Sequence, residues 1–208
     1  LTFAEAALKE CEQITAFARS SHARICCIPV GTVCELSGYW LADFSARAVE
    51  RAGADFLVLC TNTMHLVAPQ IEAAVDVPFL HIADATAERI KAAGMDRIGL
   101  LGTRFTMEEE FYRGRLEQRH GLSVVTPSAD DRAVVHRVIY EELCRGKVDA
   151  AARIEYARIV GALVAAGAQG IILGCTEIGL LLRPEDSQVP LFDTAQIHAE
   201  AAARMALA

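Results

Sequence analysis

No stretch of about 18 consecutive apolar residues occurs in the chain, so none of it reads as a membrane span. Positive charge is also scarce: 20 Lys and Arg face 27 Asp and Glu, for a net charge of −7. No basic patch is visible, so a phosphate backbone has nothing to dock on and nucleic acid is not an expected partner. Cys-x-x-Cys is missing although there are seven cysteines, and zinc-ribbon and thioredoxin-type readings therefore fail on spacing. Seven is an odd number, and most of the cysteines lie in apolar (Cys26, Cys27, Cys60) or helical (Cys11, Cys144) surroundings. A reduced, cytoplasmic protein is expected from that usage. The opening residues, Leu1 to Glu5, lack the basic flank and long apolar stretch of a signal peptide. Gly-x-Gly-x-x-Gly, other phosphate-cradling loops and a lysine-bearing cofactor motif are absent, so the chemistry is expected to need neither cofactor nor metal. Long Ser/Pro/Gln-rich or charge-rich tracts are absent too, and 53% hydrophobic residues suffice for a real core. The 208 residues fit one large domain or two small ones.

What is present is a repeat. Arg51-Ala-Gly-Ala-Asp-Phe-Leu-Val-Leu-Cys60-Thr61-Asn62-Thr63 is echoed 114 residues later by Ala165-Ala-Gly-Ala-Gln-Gly-Ile-Ile-Leu-Gly174-Cys175-Thr176-Glu177. Each copy has a helix-ending Gly, four apolar residues that read as a buried strand, and a short polar triplet where strand would pass to helix. Val77-Pro-Phe-Leu-His-Ile-Ala-Asp84 is likewise echoed by Val189-Pro-Leu-Phe-Asp193-Thr194, at an offset of 112.

Apolar runs predict strands at Arg24–Val30, Phe56–Leu59, Phe79–Ile82, Arg97–Leu101, Ser123–Val125, Gly170–Leu173 and Val189–Phe192. Alanine-rich, helix-period segments fall at Thr2–Ser20, Tyr39–Ala52, Met64–Val75, Thr86–Ala93, Met107–Gln118, Asp131–Leu143, Asp149–Ala166 and Ala195–Leu207. Alternation of this kind implies an α/β fold with parallel sheets covered on both faces. The expected architecture is two pseudo-symmetric α/β halves facing each other across a cleft. The first spans residues 1–90 together with the C-terminal helix 195–208, the second residues 91–194, and the join lies near 84–95.

Ligands in such sheets bind at the carboxyl ends of strands. Both triplets fall there, and so does Gly102-Thr103-Arg104. A polar triplet opening a helix can hold a carboxylate, because free backbone N–H groups and Thr or Asn side chains donate toward it. A cysteine at that place is expected to have a lowered pKa, which makes Cys175 a candidate base or nucleophile. Cys26, Cys27 and Cys144 are read as small packed hydrophobes.

Thr61-Asn62-Thr63-Met64-His65 and Gly174-Cys175-Thr176-Glu177-Ile178, with Gly102-Thr103 between them, resemble the aspartate/glutamate racemase family, whose members need no pyridoxal phosphate. The resemblance runs from about Ala46 to the C-terminus. It implies a two-domain pseudo-symmetric fold in which one thiol from each half flanks the substrate α-carbon; one removes the proton and the other delivers a proton to the opposite face. Carried onto this sequence, it implies catalytic roles for Thr61 and Cys175, and substrate contacts from Asn62, Thr63, Thr103, Thr176 and Glu177. It also implies a homodimer acting on a small amino acid.

Two departures stand out. The family usually has Cys-Asn-Thr in the first motif, whereas here Thr61 aligns and the cysteine sits one place earlier. The internal repeat agrees, pairing Cys60 with Gly174 and Thr61 with Cys175, and adjacent strand residues point to opposite faces. Thr61 and Cys175 are therefore taken as the opposed pair, with Cys60 the fallback. A threonine hydroxyl is a far weaker acid than a thiol, so turnover is expected to be slow, lopsided, or helped by His65 or Glu177. The family also opens with a strand and a Gly-Gly-Met-Ser-like loop, whereas this chain begins in what reads as a helix; a fragment or a rebuilt substrate wall is expected. Rival readings on the same architecture are hydantoin racemase, maleate isomerase and arylmalonate decarboxylase types, or a catalytically silent binding relative; Thr176-Glu177 after the cysteine favours the amino-acid racemases. Arg104 and Arg113 are the cations placed to meet a distal carboxylate.

Overall fold

The computed structural model describes residues 25–28 and 38–208. The helix expected over Thr2–Ser20 lies outside the described residues. Two parallel sheets organise the chain. The first has strands β1 (Ile25–Ile28), β2 (Phe56–Leu59) and β3 (Phe79–Leu80), in that spatial order. The second has β4 (Arg97–Gly102), β5 (Ser123–Val125), β6 (Ile171–Gly174) and β7 (Leu191–Asp193), ordered β5-β4-β6-β7. Helices α1 (Gly38–Arg51), α2 (Ala68–Ala74), α3 (Ile82–Ala92), α4 (Arg104–Glu108), α5 (Glu110–Gly114), α6 (Ala129–Val138), α7 (Ala150–Ala165), α8 (Ile178–Leu181) and α9 (Thr194–Leu207) connect and cover them.

The repeat is a repeat of strand register. Leu57 pairs with Phe79 and Val58 with Leu80 in the first sheet, while Ile171 pairs with Leu191 and Ile172 with Phe192 in the second. Those are the residues that the two echoes align, so the change of offset is a small difference in the connection between paired strands. The corner that follows is built alike. His81 Nδ1 accepts from the Ala83 N–H at 3.1 Å to cap α3, and Asp193 accepts from the Ala195 and Gln196 N–H groups at 3.0 and 3.2 Å to cap α9. The glycines that end the preceding helices, Gly53 and Gly167, sit at φ 86° and 94°, a region costly for side chains bearing Cβ.

Side chains along β2 alternate between two apolar clusters, as the period of two requires. Phe56, Val58 and Cys60 pack with Ala202 of α9, whereas Leu57 and Leu59 pack with Ala46, Val67 and Ile71. The second sheet anchors a larger core that includes Tyr112, Tyr156, Ile159 and Ile178. Residues 82–92, expected near a join, form a helix whose Ile82, Ala83, Ala87 and Ile90 are wholly buried in that larger core. α9 touches both sides: Ala202 faces the first sheet, and Ile197 and Ala201 belong to the larger core.

Helix boundaries differ from the periodic reading where capping decides. α3 starts at Ile82 rather than Thr86 because the His81 side chain serves as its cap. The segment read as one helix over Met107–Gln118 starts at Arg104, capped by Thr103, and breaks at Glu109, whose backbone is extended (φ −91°, ψ 154°). It resumes as α5 and widens into a π turn over Arg115–Arg119. Met64–Val75 begins as a 3₁₀ turn, Thr63–Val67, before α2, and Pro69 lies in the first turn, where a missing N–H costs little.

Candidate active site

The β4 and β6 ends meet first. Gly102 pairs with Gly174, and a Cβ on Gly174 would come within 2.7 Å of the Leu101 carbonyl oxygen; one on Gly102 would come within 2.9 Å of the Gly174 oxygen. Two bare glycines thus let the strands close up and bring Thr103 and Cys175 to adjacent strand ends. Thr103 Oγ1 caps α4 by accepting from the Thr106 N–H at 3.3 Å, and lies 3.0 Å from Thr63 Oγ1 of the other half. A second bridge runs from Asn62: its Nδ2 donates to Thr194 Oγ1 at 3.0 Å, and that hydroxyl donates to the Leu173 carbonyl at 2.8 Å. The Asn62-Thr63 end of β2 is therefore hydrogen-bonded to two strand ends of the second sheet, and through Thr194 is linked to a third. The Asn62 Oδ1 atom is buried and unpartnered. Thr194 carried no role in the sequence reading, although the second echo ends on it. A hydroxyl directly after an N-cap Asp was the available signal.

Thr61 is buried at 4% exposure, and its N–H donates to the Leu59 carbonyl at 2.9 Å, which turns the chain out of the strand. Cys60 points the other way, into the packed Phe56–Val58–Ala202 cluster. His65 spans the same corner. Its Nδ1 donates to the Thr61 carbonyl at 2.6 Å, and its Nε2 accepts from the Ile82 N–H at 3.2 Å. Burial, then the neighbouring His81 and His198, holds its pKa well below the usual imidazole value. Both ring nitrogens are committed to backbone, so His65 is a staple for the strand end and not the proton-transfer helper that the sequence suggested.

Cys175, Thr176 and Glu177 form a closed triplet. Cys175 Sγ and Thr176 Oγ1 both donate to Glu177 Oε2 at 2.8 Å. Glu177 is wholly buried, and its Oε1 has no partner. The expectation of a lowered thiol pKa is corrected here. Burial, and then the adjacent Glu177 charge, push the Cys175 thiol well above its usual value. α8 is too short, at four residues, to offset either effect with its dipole. Cys144, read as packing alone, is drawn into the same environment: burial and then Glu177 push its thiol up to about 12.

Arg113 lies away from this network, with Glu110 at 2.5 Å and Glu117 at 3.8 Å. Arg104 is exposed beside Thr103, its N–H donating to His136 Nδ1 at 3.1 Å. Among the described residues no group of three or more His, Cys, Asp or Glu is arranged to hold a metal, and no helix is long and apolar enough to cross a membrane.

Two parallel sheets thus carry polar triplets at their strand ends, and comparison with known proteins gives the family. Residues 11–202 match the Asp/Glu/Hydantoin racemase family, and the chain belongs to it. A candidate Asp/Glu racemase from Yersinia pestis is 43% identical, with a TM-score of 0.85 over 98% of this chain and 95% of that one. An aspartate racemase homologue from Pyrococcus horikoshii OT3 is 30% identical, with a TM-score of 0.79 over the same shares. The broad specificity amino-acid racemase RacX of Bacillus subtilis (strain 168) is 24% identical over 156 residues, which make up 72% of this chain and 63% of RacX.

Proposed function

We propose that this chain is a cofactor-independent amino-acid racemase acting on aspartate or glutamate, with Cys175 and Thr61 serving opposite faces of the α-carbon. Asn62, Thr63, Thr103, Thr176 and Glu177 surround the substrate, residues 1–90 with 195–208 and 91–194 act as the two halves, and the working form is a cytoplasmic homodimer. The observation that carries the reading is the placement of Thr61 and Cys175 at register-equivalent strand ends in two sheets that the Asn62–Thr194–Leu173 and Thr63–Thr103 bridges tie together.

An amino-acid α-proton is very weakly acidic, so its removal needs the developing carbanion stabilised by fixed donors in a site closed to water. The backbone amides and hydroxyls at these strand ends supply donors, and the burial of Thr61, Asn62, Thr103 and Cys175 limits water. Asn62 Oδ1, buried and without a partner, is an acceptor suited to the substrate ammonium. The two bases are unequal, because an alcohol gives up its proton far less readily than a thiol. Exchange should therefore favour the enantiomer whose α-proton faces Cys175.

Proton NMR in deuterated buffer with L- and D-aspartate, then L- and D-glutamate, tests this. Loss of the α-proton signal that Cys175→Ser abolishes supports racemase chemistry, and faster loss from one enantiomer supports the Thr61 assignment. Absence of exchange with all four substrates would remove the racemase reading. Size-exclusion chromatography with light scattering tests the dimer.

A further inference from the structure

We propose that Thr106 and Thr194 are positioning residues whose buried hydroxyls fix the hydrogen-bond polarity of Thr63 and Asn62. The end of β2 then offers one donor and one acceptor, and selects the α-carboxylate and the ammonium of an amino acid. The inference rests on Asn62 and Thr63 being substrate contacts. Both Thr106 and Thr194 are wholly buried. A hydroxyl has one proton to give, and where that proton goes dictates what its oxygen can receive. The Leu173 carbonyl can only accept, so Thr194 gives its proton there, at 2.8 Å. The Thr194 oxygen must then accept from Asn62, and the group Asn62 turns toward it at 3.0 Å has to be the amide nitrogen. The other end of the amide, Oδ1, is thereby aimed elsewhere, buried and without a partner. An amide turned round would set oxygen against the Thr194 oxygen with no proton between them, and would present N–H groups to an ammonium.

The second chain of hydroxyls runs Thr106–Thr103–Thr63. Thr103 Oγ1 accepts from the Thr106 N–H at 3.3 Å, and lies 3.1 Å from Thr106 Oγ1 and 3.0 Å from Thr63 Oγ1. The Thr106 methyl packs over Gly102 and Gly174, where a Cβ would come within 3.1 and 3.3 Å of it, and this holds the hydroxyl toward Thr103. Among the described residues Thr103 Oγ1 is the one partner of the Thr106 hydroxyl. If Thr103 donated to Thr106, the Thr106 proton would be buried with no acceptor, which is costly. If Thr106 and Thr63 both donated to Thr103, the Thr103 proton would be the stranded one. A single order strands none: Thr106 donates to Thr103, and Thr103 donates to Thr63. Half-buried Thr63 then keeps its own proton to give to substrate. Thr63 is thus a donor suited to a carboxylate, beside Asn62 as an acceptor suited to an ammonium.

The test is isothermal titration calorimetry with two pairs of probes that differ by one amine, L-aspartate against succinate and L-glutamate against glutarate. Binding is read without turnover, so the outcome stands apart from whether the chain racemises either amino acid. The wild-type chain should prefer the amino acid in at least one pair. Thr194→Val frees the amide to turn, and should weaken the amino acid by about tenfold while the matching diacid changes little. Thr106→Val should weaken both members of the pair by about tenfold and keep their ratio, because the carboxylate is common to both. Thr106→Ser and Thr194→Ser keep the hydroxyl and should recover most of the wild-type binding. A merely structural role predicts a different pattern, with Thr194→Val weakening amino acid and diacid alike, and that result would overturn the proposal. So would a wild-type chain with no preference in either pair, or a changed ratio in Thr106→Val. A serine variant that loses the preference overturns it as well, and decides the matter where a valine variant does not fold.

Discussion

Buried histidines make this fold sensitive to mild acid. His65 is wholly buried, and His81 is exposed by only 2%. Burial, followed by the Arg115 charge, lowers the His81 pKa to about 2, and burial with the neighbouring His81 lowers that of His65 well below 6.5. Both act as acceptors toward backbone N–H groups, His65 toward Ile82 and His81 toward Ala83, so protonation at those nitrogens would remove a bond as well as add a charge. Above pH 6.5 the imidazoles are neutral in folded and unfolded chains alike and contribute no pH dependence. As the pH falls through 6.5 the unfolded chain takes up two protons that the folded chain refuses, so stability drops. Each such histidine costs about 1.4 kcal/mol per pH unit once well below 6.5, hence about 2 kcal/mol at pH 5 and about 4 kcal/mol for the two. That is a large share of a typical margin of about 5–15 kcal/mol. Urea unfolding followed by circular dichroism at pH 7.5, 6.0, 5.5 and 5.0 reads it directly. His65→Asn should be weaker at every pH, yet lose stability with about half the wild-type slope below pH 6. A flat profile from pH 7.5 to 5, or an unchanged slope in His65→Asn and His81→Asn alike, would refute the reasoning.

Thr61→Cys should equalise the two directions of exchange, raising the slower one by at least about tenfold while the Cys175-driven direction changes little; deuterium incorporation from each enantiomer decides it. Thr194→Val keeps the volume but removes the acceptor for Asn62 Nδ2 and the donor to the Leu173 carbonyl. It should cost about 1–3 kcal/mol by thermal or urea unfolding and lower activity through a displaced Asn62. Gly174→Ala forces a Cβ to within 2.7 Å of the Leu101 carbonyl and should cost about 1–3 kcal/mol, whereas Cys60→Ala at the matching position of the repeat thins an apolar cluster and should cost less; paired unfolding curves compare them.

The strands were legible because the chemistry that makes them is local. Phe56–Leu59 and Ser123–Val125 stand where the apolar runs place them, and residues that the repeat aligns hold equivalent places in the pairing of β2 with β3 and of β6 with β7. The helices were less so. Their starts depend on which side chain turns back to cap them, and nothing periodic marks His81 as a cap or Glu109 as a break. In the site, residue positions were readable and electrostatics were not. The triplet at Cys175 looked like a thiol at a helix N-terminus, and that argument fails because Glu177 folds back onto Sγ and the following helix has only four residues. Thr194 escaped because its partners, Asn62 and Leu173, lie 132 and 21 residues away in sequence.

The repeat keeps its backbone and gives up its symmetry only in side chains. Where the repeat aligns the strand ends, one half has Gly174, where a Cβ would strike the neighbouring strand, and the other has Cys60, just past β2, whose side chain fills a cluster under α9. One residue on, one half has a thiol, Cys175, where the other has a hydroxyl, Thr61. Two residues beyond the thiol stands Glu177, a buried carboxylate on Sγ; the matching residue beyond Thr61 is Thr63, which reaches across to Thr103 instead. One strand end thus carries a buried carboxylate against its thiol and the other is braced against its neighbour. A site that only needed to hold a substrate would gain nothing from placing a carboxylate against a thiol in a dry pocket, since each raises the cost of charging the other. The arrangement makes chemical sense if the Cys175 side performs the difficult deprotonation and the Thr61 side is kept rigid to return a proton. On that argument the direction in which the Cys175 face removes the α-proton should be the faster one, and replacing Glu177 should slow that direction selectively.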